Sequence, residues 1–349
     1  MSGGHLTIGD RAPNFDLIDA DGSATNLYAE ATGGPLVLTF VTGAPMGAAL
    51  EIDALGAAAP AMLEAGAHLF LIGADAEAAG LPDRVLRAPD PDGRIAALFG
   101  TGGKALTFVL DPNQRVTACL SRGETPGAEQ ARSVVAATPR AAAFAAPRHP
   151  PILSIPRVLS PEQCRDLIDY FDSDGGTESG VYSMQGDESV RRIDHSAKRR
   201  HDCLIRDPAL VEMMTKAIGG RVFPEIFRAF QAEMTRVEEL KVVRYDSRPG
   251  GCFRPHRDNR QPSNAHRRFA MTLNLNSEDY QGGRLRFPEY GGASYKPATG
   301  EAVIFSCTLM HEATNVEDGV RYVLLSFLYD EEGERVRQAY RRQMAERKA

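Results

Sequence analysis

Short apolar segments alternate with turn-forming residues over much of the second half of the chain. Such segments occupy residues 240–243, 270–275, 285–287, 302–305 and 322–328, and clusters of Gly, Pro, Asn and Asp separate them. Runs of this length between such clusters are typical of β-strands. Many short strands in succession indicate an antiparallel, all-β core. We therefore predict an all-β core between residues 238 and 330.

A different pattern precedes it. Residues 36–41, 68–73 and 106–110 have the short apolar runs of buried strands, and a helical run covers about residues 51–65. Strand, helix and strand in this order predict an α/β unit.

A Pro- and Ala-rich stretch, TPRAAAFAAPRHPP, separates the two patterns at residues 138–151. Its apolar residues lack helical or strand periodicity, so we predict a linker. The predicted domains are thus residues 1–137 and 152–349.

Helices are expected on both sides of the all-β core. Ser160 as N-cap, Pro161 at the first position and Gln163 at the third predict a helix start, and Asp207 with Pro208 predicts a second one. Helical pattern continues in pieces to about residue 237. A charged tail from Glu331 favours a surface helix.

Charge and composition limit the function classes. With 40 Lys and Arg against 46 Asp and Glu, the net charge is −6, which argues against nucleic-acid or anionic-membrane binding. We interpret the basic run 198–201 as a solvated surface. No stretch of 18 apolar residues predicts a membrane span. Five cysteines without CxxC spacing and an N-terminus without leader features predict a reduced, cytoplasmic setting.

Candidate metal ligands stand at His256, Asp258 and His311. On a strand, His256 and Asp258 would leave the same face because the side-chain period is two, and His311 follows 55 residues after His256. Two histidines and one carboxylate form the facial triad of non-haem Fe(II) oxygenases, whereas zinc favours a tetrahedral site. An HxD motif alone is a weak signal, since isolated histidines are commonly ordinary surface or core residues.

Arg321 is the candidate anion-binding residue. A tight hairpin at residues 316–319 would place it on a strand beside His311, and it alternates with Val323, Leu325 and Phe327 on an apolar face. A buried arginine needs an anion, and its planar fork suits a carboxylate. The alternative is a surface arginine on an edge strand.

Residues 238–330 resemble the prolyl 4-hydroxylase-type branch of the 2-oxoglutarate and Fe(II)-dependent dioxygenases. The resemblance rests on four segments in matching order, namely KVVRYDSRPGGCFRPHRDN, RRFAMTLNLN, QGGRLRFPEYGG and KPATGEAVIFSCTLMHEATNVEDGVRYVLLSFLY. It implies a double-stranded β-helix, or jelly roll, with flanking helices. It also implies Fe(II) and 2-oxoglutarate, with ascorbate as a stimulant.

The same resemblance assigns further contacts to the co-substrate. Tyr245 would contact it through the phenol, and Thr272 would line the pocket. Relatives have Tyr-Leu-Asn where this chain has Asn274-Leu275-Asn276, so an amide replaces a phenol that helps to bind the co-substrate.

The implied reaction is hydroxylation of an unactivated C–H bond with release of succinate and CO₂. Because Asp258 is present, hydroxylation or desaturation is favoured over halogenation. Amino-acid-like, peptidyl (including prolyl) and small-molecule substrates stay open. In the polar segment 177–206, Arg191 and Arg192 are either a basic lid that meets a substrate carboxylate or ordinary surface charges. The alternative function is a non-catalytic sensor or interaction protein.

Residues 5–125 resemble the peroxiredoxin branch of the thioredoxin fold, through IGDRAPNFDLIDADGSATNL, GGPLVLTFV and ALTFVLDPNQRV. Peroxidase chemistry needs a low-pKa cysteine after the central strand, and residues 40–50 contain none. Cys119 is expected to be a small buried hydrophobe. The resemblance therefore favours a redox-inactive module for homodimerisation, partner recognition or lid support over a thiol peroxidase.

Overall fold

Two units organise the chain. The computed structural model describes residues 5–18, 24–31, 33–41, 45–73, 81–138, 140, 149–185 and 188–348. Within it, residues 1–145 and 146–349 cluster as separate compact units. The boundary falls inside the stretch predicted as a linker, but residues 139 and 141–148 of that stretch lie outside the described residues.

The described strands of the first unit form one mixed sheet in the order β2-β1-β5-β4-β3-β6-β7. They are β1 Asp16–Ile18, β2 Ala24–Asn26, β3 Leu36–Phe40, β4 His68–Gly73, β5 Val85–Pro89, β6 Leu106–Leu110 and β7 Val116–Ser121. Strands β3, β4 and β5 are parallel, and β6 runs antiparallel to β3. Every residue of β3 and β6 is buried, as expected of strands covered on both faces.

The described helices of the first unit are α1 Leu27–Glu30, α2 Pro45–Glu64, α3 Arg94–Phe99 and α4 Gly127–Ala137. Separate apolar clusters lie on the two faces of the sheet, one containing Phe40, Phe99 and Phe108, the other Val37, Leu55 and Ala131. The predicted α/β unit is confirmed, although α2 begins at Pro45 rather than near residue 51.

The second unit is dominated by antiparallel strands. Its described strands are β8 Ile152–Ile155, β9 Thr177–Glu178, β10 Val181–Gln185, β11 Glu188–Arg192, β12 Lys198–Arg199, β13 His201–Leu204, β14 Arg236–Val237, β15 Lys241–Asp246, β16 Cys252–His256, β17 Phe269–Asn274, β18 Tyr280–Gly282, β19 Leu285–Arg286, β20 Ser294–Tyr295, β21 Ala302–Ser306, β22 His311–Ala313 and β23 Val316–Tyr329.

These strands form a large and a small sheet. The large sheet has the order β8-β21-β17-β23-β15-β13-β9, the small sheet has the order β12-β16-β22-β19-β20, and β10 and β11 form a separate hairpin. From β15 to β23 the chain passes back and forth between the two sheets, which is the connectivity of a jelly roll. The predicted all-β core is confirmed.

One predicted turn is wrong. Residues 316–319 do not form a hairpin between His311 and Arg321, because β23 already begins at Val316. Arg321 pairs with Tyr245 in the large sheet, whereas His311 belongs to the small sheet. The two side chains therefore reach the site from opposite sheets.

The described α-helices of the second unit are α5 Pro161–Asp174, α6 Pro208–Ala217, α7 Phe223–Phe230 and α8 Glu331–Lys348, and a π-helical segment, Ile218–Val222, joins α6 to α7. Ser160 and Gln163 form the predicted capping box, and Asp207 caps α6. The helical pattern predicted to residue 237 stops at Phe230. Among the helices of the described ranges, none is long and apolar enough to cross a membrane.

Candidate functional site

Three potential metal ligands meet at the end of the small sheet. His256 is the last residue of β16 and lies directly opposite His311, the first residue of β22. Asp258 was predicted to lie on the same strand as His256, but it lies in the turn that follows this strand. Its N–H donates to the carbonyl of Cys307 at 3.0 Å, which anchors this turn beside the segment that leads into His311.

The turn brings the carboxylate between the two rings. Asp258 Oδ1 lies 3.4 Å from His256 Nε2, and Asp258 Oδ2 lies 3.3 Å from His311 Nε2. One ligand atom from each residue falls within 4.8 Å of the other two. The side chain of His256 is 20% exposed, that of Asp258 10% and that of His311 8%. The three ligands are therefore nearly buried, and His256 has the most contact with solvent.

Backbone carbonyls orient both imidazoles. His256 Nδ1 lies 2.7 Å from the carbonyl oxygen of Arg254, and His311 Nδ1 lies 3.0 Å from that of Leu309. A carbonyl can only accept, so each Nδ1 carries the proton. The Nε2 of each ring faces Asp258, and a metal ion would take the place of any proton at this nitrogen, as in known histidine ligands held by an outer hydrogen bond.

The electrostatics keep the carboxylate ionised. Burial opposes its charge, but the charge of His311 and hydrogen bonds from both rings hold the pKa of Asp258 well below its ordinary value. Burial, assisted by the neighbouring His311, lowers the pKa of His256. Burial opposes the charge of His311, but the carboxylate of Asp258 outweighs it and raises the pKa of His311. The site thus offers a carboxylate and a neutral His256, and a metal ion would displace a proton from His311.

The donor set fits Fe(II). Two imidazole nitrogens and one carboxylate converge without a cysteine ligand, and three ligands leave positions of an octahedral ion for other molecules. A sulfur-rich or closed tetrahedral set would have indicated structural zinc instead.

Arg321 lies in the wall of a small cavity that also contains the three candidate ligands. It is 3% exposed, and its Nη2 donates to Asn274 Oδ1 at 3.2 Å. No hydrogen-bond partner of its Nε is found in the described part of the chain. Among the residues that the structure describes, no acidic side chain forms an ion pair with it. A buried, unneutralised guanidinium in a cavity wall is suited to an anionic ligand.

The residues predicted around the co-substrate occupy two different places. Tyr245 and Thr272 lie in the cavity wall, and the Tyr245 ring lies 5.3 Å from the Arg321 guanidinium carbon. Asn274 is fully buried and is absent from the described lining of the cavity. Its Nδ2 lies 2.8 Å from both the Tyr280 hydroxyl and the Pro297 carbonyl oxygen, so the amide is fixed with its oxygen towards Arg321.

Arg200 is a second cation in the wall of this cavity, and it was not among the predicted site residues. Arg200 is buried in the cavity wall, and its Nη1 donates to the Tyr245 hydroxyl at 3.0 Å. Its Nε lies 2.8 Å from Asp202 Oδ1. Burial opposes the charge of Arg200, but the ion pair with Asp202 outweighs it and raises the pKa of Arg200. Because the carboxylate of Asp202 neutralises the guanidinium, the pair carries no net charge that could attract a ligand.

The interpretation of residues 198–201 as a solvated surface is wrong in part. Lys198 and Arg200 are 7% and 8% exposed, whereas Arg199 between them is exposed. Lys198 on β12, Arg200 between the two strands and Asp202 on β13 alternate with period two, and this signal could have revealed the buried face.

An outer cleft of about 940 Å³ adjoins the candidate metal ligands. His256 and Asp258 lie in the walls of both the cleft and the inner cavity, and so does Phe253. The cleft therefore provides a path from solvent to the ligands.

Comparisons with known proteins agree with this geometry. A family model described as the 2OG-Fe(II) oxygenase superfamily matches residues 240–329. A PKHD-type hydroxylase from Saccharophagus degradans is 30% identical over 193 residues, which cover 51% of this chain and 77% of that protein. The chain belongs to the 2OG-Fe(II) oxygenase superfamily. It is an oxygenase, and Fe(II) and 2-oxoglutarate are its cofactor and co-substrate.

Two solved structures show more distant likeness to this oxygenase. A prolyl hydroxylase from Trichoplax adhaerens, in complex with a hypoxia inducible factor peptide, is 15% identical with a TM-score of 0.42, over 52% of this chain and 84% of that one. The peroxidoxin BcpB from Mycobacterium tuberculosis is 26% identical with a TM-score of 0.31, over 38% of this chain and 96% of that one.

The thiol of the first unit of the oxygenase is partly shielded from solvent. Cys119, on β7, is half-buried rather than fully buried, and burial raises its pKa. Its Sγ lies 3.6 Å from His5 Nε2. Residues 40–50, where a peroxidatic cysteine would lie, contain no cysteine. Residues 42–44 of this segment lie outside the described residues.

Proposed function

We propose that His256, Asp258 and His311 hold Fe(II), that Arg321 holds the distal carboxylate of 2-oxoglutarate, and that the oxygenase hydroxylates a C–H bond of an amino-acid-like or peptidyl substrate with release of succinate and CO₂. One observation carries the proposal: a 2-His-1-carboxylate group shares one cavity with a buried arginine that pairs with no acidic side chain of the described residues.

The bound iron would supply activation of O₂ coupled to decarboxylation of 2-oxoglutarate. The chain supplies position and exclusion of water. Arg321 orients the co-substrate through its planar fork, and Asn274 acts through Arg321 by fixing the guanidinium. The hydroxyl of Tyr245 accepts from Arg200 and so keeps its own proton to donate into the cavity.

Apolar side chains complete the cavity. Phe305, Leu325 and Phe327 line its wall, which keeps bulk water from the reacting groups and strengthens each charge contact inside. Hydroxylation, rather than desaturation, is supported by the hydroxylase from Saccharophagus degradans. The cleft has the volume of typical small-ligand pockets and admits a free amino acid or one residue of a peptide.

We propose that the first unit is a redox-inactive module for dimerisation or partner recognition. The absence of a cysteine from residues 40–50 and the raised pKa of Cys119 support this role. Loss of peroxide reduction in a Cys119→Ser variant would instead support a thiol peroxidase.

Anaerobic optical spectroscopy tests the proposed metal site. Addition of Fe(II) and 2-oxoglutarate to the full chain should produce the weak visible band of an iron-chelated keto acid. His256→Ala and Asp258→Ala should each abolish the band, because each removes one of three ligands. His149→Ala, outside the site, is the matched control and should retain it. A full band in both ligand variants would contradict the assignment.

Succinate production coupled to O₂ uptake tests turnover. The full chain with Fe(II) and 2-oxoglutarate should form succinate, whereas a non-catalytic sensor would give the visible band without succinate.

A further inference from the structure

Lys198 is a buried basic side chain that the proposed reaction does not use. It is 7% exposed, and it lies in the wall of the outer cleft together with His256 and Asp258. Its Nζ donates to the carbonyl of Gly180 at 3.0 Å. Across the described part of the chain, this is the one acceptor within hydrogen-bonding distance, so two of its three N–H donors are unused.

Burial without an acidic partner is costly for an ammonium group. Desolvation, reinforced by the charge of Arg200, lowers the pKa of Lys198 to about 6. The amine is therefore largely uncharged at neutral pH when no ligand is bound, and a bound carboxylate would favour its protonated form. Asp202 does not neutralise Lys198 because it already pairs with Arg200. The anion that would neutralise Lys198 would therefore have to come from a ligand.

The surroundings of Lys198 favour an anionic occupant. Counting the described residues only, ten Lys and Arg side chains but six carboxylates line the cleft, so this wall is positive although the whole chain carries a charge of −6. Three of these carboxylates, Asp202, Glu238 and Asp194, already pair with arginines of the cleft. The local charge thus attracts anions from solution.

Phe253 places Lys198 close to the candidate metal ligands. Lys198 pairs with Phe253 across β12 and β16, and its Nζ lies 4.7 Å from the centre of the Phe253 ring. The same ring stacks on His256 with centroids 3.4 Å apart. A group bound at Lys198 is therefore separated from a metal ligand by one aromatic ring.

Resting on the function proposed above, we propose that Lys198 binds a carboxylate of the substrate and selects acidic substrates over their neutral amides. A single ammonium is neutralised by one negative charge, and Arg200 next to it is already neutralised. A monoanionic carboxylate matches this balance, whereas a phosphate dianion would leave an excess negative charge buried. The carboxylate belongs either to a free amino acid or to an acidic residue in a peptide.

Matched acid and amide probes test this selectivity in the full chain. The probes are glutamate and glutamine, proline and prolinamide, and two proline-containing peptides that differ by Glu or Gln beside the proline. Hydroxylation is read as a 16-dalton gain and succinate is measured in parallel. We expect kcat/KM to favour the acid of at least one pair by roughly 30-fold or more, the usual effect of a buried charged hydrogen-bonding partner. The free and peptide pairs distinguish the two sources of the carboxylate.

Variants of Lys198 show whether this residue is responsible. Lys198→Met keeps most of the side-chain stem but removes the charge, and it should reduce the acid preference to within about threefold. Lys198→Arg should retain part of the preference. Lys216→Met, on the exposed side of α6, is the matched control and should behave as the unmodified chain. Thermal unfolding of each variant shows whether it is folded.

Each result has a separate meaning. An acid preference that persists in a folded Lys198→Met protein overturns the proposal. A preference for amides overturns it as well, and so does hydroxylation of no carboxylate probe by a chain that still forms succinate. A raised 2-oxoglutarate requirement in the visible-band titration of Lys198→Met would assign Lys198 to the co-substrate and overturn it too. Absence of both the band and succinate from the unmodified chain would contradict the proposed function instead.

Discussion

Burial of Arg321 costs folding free energy and at the same time provides a group that can bind a ligand. Its guanidinium is buried beside Tyr245 and fixed by Asn274, yet Nε lacks a partner. Such a group stabilises the fold poorly by itself, because an unsatisfied buried donor carries a desolvation penalty. A bound dicarboxylate would supply the negative charge and the hydrogen-bond acceptors that Arg321 lacks.

We expect Arg321→Ala to raise the 2-oxoglutarate requirement strongly and to leave metal binding nearly intact. Loss of a buried charged partner costs about 2 to 5 kcal/mol, which is roughly 30-fold to several-thousand-fold in affinity. Titration of the visible band and of succinate formation against 2-oxoglutarate measures the change. Arg284→Ala, an exposed arginine, serves as the control. An unchanged requirement would show that another cation holds the distal carboxylate.

At this scale the sequence predicted the chemical groups better than their surroundings. His256, Asp258, His311 and Arg321 are brought to one cavity, because spacing and residue type carry that information. Lys198 was misinterpreted because four adjacent basic residues are typical of a surface, and only the strand alternation of β12 and β13 separates its buried members from exposed Arg199. Asn274 was expected to contact the co-substrate, but its amide is held by Ser277, Tyr280 and Pro297, and sequence spacing does not show that these residues converge.

At the scale of elements, Glu238 connects the segment before β15 to the loop before β17. Its carboxylate accepts from Arg267 Nε at 2.6 Å and from Nη2 at 3.2 Å, and His266 Nε2 lies 3.6 Å away. Arg267 in turn lies over the Phe327 ring at 3.7 Å. Burial opposes the charge of Glu238, but the contacts with His266 and Arg267 outweigh it and lower its pKa to about 2.

Glu238→Gln should therefore lower the free energy of unfolding at pH 7 by about 3 kcal/mol, since each pKa unit corresponds to about 1.4 kcal/mol. Because the folded pKa is depressed, the stabilisation is complete above the unfolded value near 4.5 and is lost as the pH falls to about 2. Urea unfolding of the metal-free protein between pH 7 and pH 3 measures this. The unmodified chain should lose stability over that range more steeply than Glu238→Gln.

Glu239→Gln is the control for this comparison, because its carboxylate is 60% exposed and lies 3.8 Å from Lys241. Equal pH dependence of the Glu238 and Glu239 variants would refute the role of the buried ion pair.

The start of β23 shows why one element boundary was missed. The residues Val316 to Gly319 have turn-like composition, but Gly319 pairs with Tyr280 of β18. Its φ is +74°, and a Cβ there would lie 2.2 Å from the Asp279 carbonyl oxygen. Glycine is required by a close approach of two strands and not by a hairpin, and composition cannot distinguish these two uses.

At the scale of the whole molecule, each hydrophobic core belongs to one unit. Within the described residues, every cluster of buried apolar side chains takes its members either from residues 12–135 or from residues 152–328. The proposed site draws all its residues from the second unit.

We accordingly expect a fragment of residues 146–349 to fold and to retain succinate formation with Fe(II) and 2-oxoglutarate, within about threefold of the full chain, because its core and its site are complete. Circular dichroism, thermal unfolding and succinate assays compare the two proteins, and gel filtration shows whether only the full chain dimerises. A folded fragment without succinate formation would mean that the first unit contributes to catalysis.

The position of β23 in the large sheet has a consequence for biosynthesis. It lies between β15 and β17 and is the last of these strands in chain order, so the two earlier strands are held apart until it inserts. Pairing of β23 with β15 joins residues about eighty positions apart, and such long loops close slowly. A nascent chain that has already exposed β15 and β17 therefore presents two unpaired apolar edges, which makes this stage of synthesis the one at which chaperone protection matters most.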